Sequence, residues 1–325
     1  MNPSRRGFLR LAAAITALAA PGQAARAQTW PTRPLRILVG FAAGGGQDII
    51  ARMMAQWLSE RLGQPVVVEN RSGAGGNLAT EAVVRAPPDG HTLLLAFPSN
   101  AINASLYGNL SFNFIRDIAP VATIAYMPDV LVVHPAVPAS SIAELIAYAK
   151  ANPGKLAIAS AGNGTPSHVT GELFKLMTGT EMVHVPYRGM APALTDLIGG
   201  HVQVLFASIS ASLGYIRAGK LRALAVTTAT RADQLAELPI MREFVPGFED
   251  SIWYGLAATA GTPPDVIARL NREINAALAD PAIVARLKAL GTAVMPGTPS
   301  DFAKLIAEET AKWADVVRRS GAKPD

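Results

Sequence analysis

The sequence predicts an α/β protein built as two lobes with a ligand cleft between them. Apolar strand-like runs alternate with helical ones along nearly the whole chain, the pattern that βα units with parallel strands produce. The alternation starts afresh near mid-chain, and each half carries one glycine-rich turn between a strand and a helix. Length agrees: 325 residues less an N-terminal segment of 27 leaves 298, more than one compact domain usually holds. Residues are 50% hydrophobic but only 6% aromatic, which suits Ala/Val/Leu-rich α/β layers. The expected division is 28–128 for the first part of lobe 1, 129–252 for lobe 2 and 253–325 for a segment returning to lobe 1.

In the first half, Ile37–Phe41 reads as a strand, followed by a helix from about Ile49 to Leu62 that Gly63 ends. Val66–Glu69 leads into a Gly-rich loop and a helix opening near Asn77, and Thr92–Phe97 is the next strand. The second series begins with Val130–Val133. A helix from Ser140 to Ala151 stops before Pro153, and Lys155–Ala159 then runs into Ser160–His168 and a helix through Met177. Val202–Phe206 and Leu221–Thr227 supply further strands, and Val130–Val133 and Ile252–Ala258 are the expected crossovers between lobes. The C-terminal third is mostly helical: Thr262-Pro263 and Thr298-Pro299 each set a cap and a proline at a helix start, Asp301 completes a capping box, and Gly291 closes the helix between.

The first residues set the compartment. Ser4-Arg5-Arg6-Gly7-Phe8-Leu9-Arg10 precedes an Ala-rich apolar run from Leu11 to Ala20, then Pro21 and a small-residue pattern at Ala25-Arg26-Ala27. This is the pattern of a twin-arginine export signal, with cleavage expected near Ala27 and a mature chain in the periplasm. The segment holds four arginines and no acid, so its removal lowers the formal charge from +5 to +1. The basic character therefore belongs to the signal and is no argument for a nucleic-acid partner. No other apolar run is long enough to span a bilayer, and the chain has no cysteine for a disulfide or lipid anchor. Neither a cofactor nor a metal is expected, and the protein is expected to be a monomer.

Binding chemistry concentrates at the two glycine-rich turns, Phe41-Ala42-Ala43-Gly44-Gly45-Gly46-Gln47-Asp48 and Ser160-Ala161-Gly162-Asn163-Gly164-Thr165-Pro166-Ser167-His168. Consecutive glycines let backbone N–H groups converge at the positive end of a helix, where a small anion sits without any basic side chain. Each helix end is worth about 0.3–1 kcal/mol toward an anion when exposed, and more where water is excluded. A carboxylate that bridged both would draw the lobes together. Taken singly, either turn is equally an ordinary tight βα turn whose glycines only permit close packing.

Several blocks in one order resemble a known family. Trp30-Pro31-Thr32-Arg33-Pro34-Leu35-Arg36-Ile37-Leu38-Val39, Val66-Val67-Val68-Glu69-Asn70-Arg71-Ser72-Gly73-Ala74-Gly75-Gly76-Asn77, Ala86-Pro87-Pro88-Asp89-Gly90-His91 and His184-Val185-Pro186-Tyr187-Arg188-Gly189 are similar to the Bug family. These are the extracytoplasmic solute-binding proteins of tripartite tricarboxylate transporters, and the resemblance covers nearly all of the mature chain. It implies a type II periplasmic-binding-protein fold, with a small carboxylate held between equivalent turns of the two lobes, largely by backbone N–H groups and bridging waters. Carried onto this sequence, the ligand-binding positions are Phe41, Ala43, Gly44, Gly45, Gly46, Gln47 and Asp48 in one turn, and Ser160, Gly164, Thr165 and His168 in the other. The implied partners are a small carboxylate and the membrane components of a tripartite transporter, with delivery or sensing as the role.

This chain departs from the family pattern in places. Ala42 and Ala43 replace the prolines of the usual Phe-Pro-Pro-Gly-Gly turn, and Gln47 stands where Thr or Ser usually precedes the Asp. Losing two prolines relaxes the turn, and Gln offers an amide donor and acceptor in place of a short hydroxyl. Asn103-Ala104-Ser105-Leu106-Tyr107 lacks a common proline and Phe112-Asn113-Phe114 replaces Phe-Asp-Pro; both read as surface variation. His168 either donates to a ligand carboxylate or packs at its helix end. Tyr187 and Arg188 either line the cleft or join the lobes, and Ser208, Ser210, Ser99 and Asn100 either bond the ligand or cap the next helix. His91, His134 and His201 are isolated and read as structural.

The alternative function is an exported, cofactor-dependent oxidoreductase. Gly44-x-Gly46 followed by Glu69 imitates a dinucleotide fingerprint, but Ile49 occupies the third glycine position. No Gly-x-Ser-x-Gly elbow, His-Glu-x-x-His helix or Cys/His cluster positions a nucleophile or a metal. The residues favour a binding protein over an enzyme, and they leave its carboxylate unnamed.

Overall fold

The computed structural model describes residues 30–324; the twin-arginine segment and its cleavage site lie outside the described residues. Contacts divide the chain after Thr32, and the unit that begins at Arg33 holds every element named below. In chain order these are β1 (Leu35–Val39), α1 (Gly46–Leu62), β2 (Val66–Asn70), α2 (Asn77–Val84), β3 (Thr92–Ala96), α3 (Pro98–Leu106) and β4 (Ile118–Met127). Then come β5 (Asp129–Val133), α4 (Ile142–Ala151), β6 (Ala157–Ser160), α5 (Pro166–Thr178), β7 (Val183–Pro186), α6 (Met190–Ile198), β8 (Val204–Ser208), α7 (Ile209–Arg217) and β9 (Arg222–Val226). The chain finishes with β10 (Ile252–Thr259), α8 (Pro264–Ala279), α9 (Pro281–Ala289), β11 (Ala293–Val294) and α10 (Pro299–Ser320).

The strands form two sheets, one in the order β11-β4-β10-β3-β1-β2 and the other β7-β6-β8-β5-β9. In the first, β1 pairs parallel with β2 and β3, while β10 runs antiparallel between β3 and β4. In the second, β6 pairs parallel with β7 and β8, and β5 runs antiparallel between β8 and β9. The βα units pair in parallel as expected, while β5 and β10, the two expected crossovers, pair antiparallel. The chain passes from one sheet to the other between β4 and β5 and returns at β10, and a strand arriving across the crevice runs against the local βα units. β4 also escaped the sequence pattern, because alanines and Pro120 dilute it. Pro120 pairs with Ala257 beside a register shift, where the ladder is already interrupted.

Each sheet has its own core. Leu38, Leu94, Trp253, Phe302 and Trp313 fill the first, with α10 closing over it. The capping box expected at the start of α10 is present: Thr298 Oγ1 accepts the Asp301 N–H and Asp301 Oδ2 accepts the Thr298 N–H. Phe302 then meets Trp253 edge-on at 5.7 Å, and Glu309 Oε2 accepts from the indoles of both Trp253 and Trp313. In the second core Phe174, Phe206 and Phe248 pack with one another and with Leu131. Each fully buried side chain of Leu or Phe size is worth about 1.5–3 kcal/mol, so the lobes cohere without disulfides.

Two segments read as surface variation prove to be interior. Asn103 is fully buried and Leu106 nearly so, and Phe112 and Phe114 belong to the first core. The helix α10 packs over α3, Phe112 and Phe114 join the cluster that holds its Phe302 and Trp313, and Asn103 is enclosed by the loop at Gly75 and Asn77. Among the described residues no helix is long and apolar enough to cross a membrane.

Candidate functional site

The β1–α1 turn is braced by an acid. Gly44 takes the left-handed conformation (φ 84°) while Gly45 is extended. Asp48, buried in the first turn of α1, accepts hydrogen bonds from Gly44 N–H at 2.9 Å, Arg52 Nε at 2.9 Å and Asn70 Nδ2 at 3.0 Å. The Arg52 bond is the main reason its pKa falls to about 2; burial works in the opposite sense, and the Gly44 and Asn70 bonds reinforce the fall. The Asp48 side chain is therefore the strut of this turn, with both of its oxygens engaged. The N–H groups of Gly46, Gln47 and Asp48 open the helix without intrahelical acceptors, as at any helix start, and form the donor set of the turn. Ala43 is exposed and Gln47 half-buried beside them. Phe41, Phe97 and Tyr254 make an aromatic floor, with centroids 5.4 and 5.7 Å apart along the series.

The β6–α5 turn is more self-contained. Ser160 Oγ lies 2.7 Å from His184 Nε2 and accepts the Gly162 N–H. Ser167 Oγ accepts the Ala161 N–H, His168 Nδ1 accepts the Gly164 N–H at 3.2 Å, and the Gly162 carbonyl accepts the Thr165 N–H. N–H groups that the sequence reserved for an anion are thus satisfied within the turn. His168 stacks on His184 at 4.0 Å, and its Nε2 faces Glu172 Oε1 at 3.9 Å. Burial, and secondarily Lys175, lowers the His168 pKa to about 4; burial, then His168 and Lys175, lowers that of His184 to about 3. Both rings are neutral at neutral pH, and His168 supports the turn through its Nδ1.

Thr165 stands at the N-cap of α5 without a side-chain cap bond. Its hydroxyl instead donates to the Gly162 carbonyl at 2.6 Å and meets Ser167 Oγ at 3.1 Å. Thr165→Val, nearly isosteric, is expected to cost about 1 kcal/mol of stability. Urea unfolding checks this, and an unchanged midpoint would mean that the turn does not depend on the hydroxyl.

Asn103 brings the surroundings of the two turns together. Its Nδ2 donates to the Gly75 carbonyl at 2.9 Å and to Asn77 Oδ1 at 3.1 Å. A Cβ placed on Gly164 would stand 3.2 Å from Asn103 Oδ1 and 2.6 Å from Leu106 Cδ2, so α3 of the first lobe lies directly against the glycine turn of the second. Sequence reasoning missed this contact; its one signal was a polar residue on the apolar face of a short helix. Ser99, on the same helix, is fully buried and its hydroxyl has no hydrogen-bond partner, whereas Asn100 caps the helix by accepting the Phe97 N–H. Tyr187 donates to Asp196 Oδ2 at 2.6 Å, and burial, with that bond second, raises its pKa to about 12; it ties the strand β7 to α6, and Arg188 is exposed. Ser208 opens α7 with no side-chain cap bond, its Oγ 3.3 Å from that of Ser210.

Among the described residues no group of three His, Cys, Asp or Glu side chains could hold a metal ion. A cavity of about 350 Å³, lined in part by Tyr126, Pro128, Arg231 and Lys288, shares no residue with either glycine-rich turn.

Two mixed sheets joined by paired crossovers, with glycine turns at the carboxyl ends of their strands, define a two-lobed solute receptor of the periplasmic-binding-protein class. The chain belongs to the TctC family, the tripartite tricarboxylate transporter family receptor, whose model matches residues 50–322. It is 40% identical to Protein BugT of Bordetella pertussis over 313 residues, 95% of each chain. It resembles the solved structures of R. palustris Rpa4515 with adipate (38% identity, TM-score 0.82, covering 91% of this chain and 100% of that one) and of the periplasmic binding protein BugD (35%, 0.78, 91% and 100%). MatC (Rpa3494) from Rhodopseudomonas palustris with bound malate is similar at 33% identity and TM-score 0.79, covering 89% of this chain and 100% of that one. The Bug resemblance is borne out, and the family is one of receptors rather than enzymes, so the oxidoreductase alternative falls away.

Proposed function

We propose that this protein is a periplasmic receptor that captures a small organic carboxylate between its lobes and presents it to the membrane components of a tripartite transporter. The carrying observation is the start of α1: a 17-residue helix that opens at the glycine-rich turn, with the Asp48 carboxylate of its first turn already bonded by Arg52 and Asn70. A carboxylate placed there meets backbone donors and a helix dipole, and needs no basic side chain. The relatives solved with adipate and with malate support the same ligand class. Lobes divided at 128/129 and 252/253, a signal cleaved near Ala27 and a monomeric receptor belong to the same reading.

Because a bridging ligand contacts both lobes only when they are closed, binding should stabilise the protein. At 100 times its dissociation constant a carboxylate is expected to add about 2.7 kcal/mol, visible as a rise in melting temperature. A panel of dicarboxylates and hydroxy acids run by thermal shift tests this; no rise with any of them would overturn the reading.

Gly45→Val is expected to weaken carboxylate binding about tenfold or more with little loss of stability. Gly45 is extended, and a Cβ there would meet only Gln47 Oε1 at 3.5 Å and the Ala42 carbonyl at 3.6 Å, ordinary contacts that leave the turn intact while filling the ligand's approach. Arg188→Ala is expected to bind more nearly as the parent does. Calorimetric titration decides: a loss confined to Arg188→Ala would replace backbone capture by a side-chain ion pair.

A further inference from the structure

Asp129 and Tyr254 come from different sheets, each beside a segment that crosses between them. Asp129 opens β5 and pairs with Ser208 at the carboxyl end of β8. Tyr254 precedes Gly255, which pairs with Ala96 at the carboxyl end of β3. Both therefore stand at the strand ends where α/β sheets take their ligands.

Both residues are buried there. Asp129 is 1% exposed, and its Oδ1 has no hydrogen-bond partner. Its backbone N–H and carbonyl, by contrast, both bond to the Thr227 hydroxyl. Tyr254 is 2% exposed, its ring lies against Phe97, and a Cβ on Gly46 would stand 3.5 Å from its hydroxyl. The tyrosine thus reaches the first turn of α1, the donor end already assigned to a carboxylate. A buried acid oxygen without a donor is unfavourable unless the acid is neutral or something arrives to bond it.

We propose that Asp129 and Tyr254 form a second recognition point of the crevice, where the protonated Asp129 carboxyl and the Tyr254 hydroxyl donate hydrogen bonds to a carboxylate oxygen of the ligand. This rests on the reading of the protein as a carboxylate receptor and adds to it a pair of side-chain donors.

The surrounding charges support a neutral Asp129. Asp250, in the segment before β10, faces it, and Tyr254 faces it from β10 itself. The neighbouring cation, Lys312 of α10, lies 3.5 Å from Asp250 Oδ1 and 3.0 Å from Glu309 Oε1, and the Thr170 hydroxyl of α5 also donates to Asp250. Burial first, and Asp250 second, push the Asp129 carboxyl well above the usual carboxylate range; burial, then Asp129, push Tyr254 up as well. In this proposal both groups keep their protons and act as donors. A carboxylic acid whose folded pKa is raised binds an anion best below that pKa, and affinity declines as pH rises through it.

The test uses the mature protein with succinate, glutarate, adipate and pimelate as probes, followed by thermal shift and calorimetry. Asp129→Asn keeps a neutral donor and is expected to bind the best probe within about threefold of the parent near pH 6, without the parent's decline at higher pH. Asp129→Leu and Tyr254→Phe each lose a donor and are expected to bind about tenfold more weakly; Asp129→Leu should melt no lower than the parent without ligand, since it removes an unpartnered buried oxygen. If none of the four acids shifts the parent's melting temperature, the dicarboxylate reading fails and this proposal with it. If one does, three results overturn the proposal alone: Asp129→Asn folded but unable to bind, Asp129→Leu binding as the parent does, or parent affinity that rises as the pH is raised.

Discussion

Gly40→Ala is expected to destabilise the protein by about 3 kcal/mol or more and to displace the β1–α1 turn from its binding geometry. Gly40 follows β1 directly, and a Cβ there would stand 2.6 Å from Gly76 Cα and 3.2 Å from the Gly76 carbonyl oxygen. Both obstacles are backbone, so neither side chain can rotate away. Gly76 in turn is held at φ 94° between Gly75 and the start of α2, with its N–H bonded to the Gly73 carbonyl. Relief therefore requires that β1 and the loop after β2 move apart, which carries Phe41 and the donor end of α1 with them. Gly214→Ala in α7 is the control: a Cβ there meets nothing within 4 Å, and helix propensity favours Ala by about 0.5–1 kcal/mol. Urea midpoints of the two variants should move in opposite directions. An unchanged midpoint for Gly40→Ala would mean that this approach of backbones is loose.

Asp48→Ala is expected to cost about 2–3 kcal/mol, the range for removing hydrogen bonds to a charged group. Three donors lose their acceptor at once: the Gly44 N–H, Arg52 Nε and Asn70 Nδ2. Arg52 is half-exposed, so its Coulomb share is small, and most of the loss comes from the hydrogen bonds, that of Arg52 first. The effect has a defined pH signature. Asp48 ionises at about 2 in the folded protein against an ordinary value of 3.8, so its contribution is full above about pH 4 and is lost as pH falls toward 2. Parent and Asp48→Ala stabilities should therefore converge across that acid window, as measured by denaturant unfolding. A constant gap through it would show that the carboxylate's charge is not what braces the turn.

Much of the local structure was legible in the sequence because it depends on near neighbours. Strand runs such as Ile37–Val39, the stop at Gly63, and the Thr298/Asp301 box follow from side-chain period, glycine geometry and capping within a few residues. The glycine-rich turns were visible for the same reason, as were the family blocks that run through them. What lies within each turn was not. Whether the N–H groups of Ala161, Gly162 and Gly164 await an anion or already hold Ser167, Ser160 and His168 depends on rotamers that the fold selects.

By itself the sequence determined the α/β class, most of the alternating strands and helices, the two glycine-rich turns and their proposed chemistry, because each is written in contacts between residues close along the chain. Only the tertiary structure decided the antiparallel entry of β5 and β10, the burial of Asn103 against the Gly164 turn, and the burial of Asp129 and Tyr254 on strands of different sheets. Those pairings join residues far apart in sequence. No periodicity marks them, because a strand's pattern specifies which face is buried and leaves its partner to the packing of the whole chain.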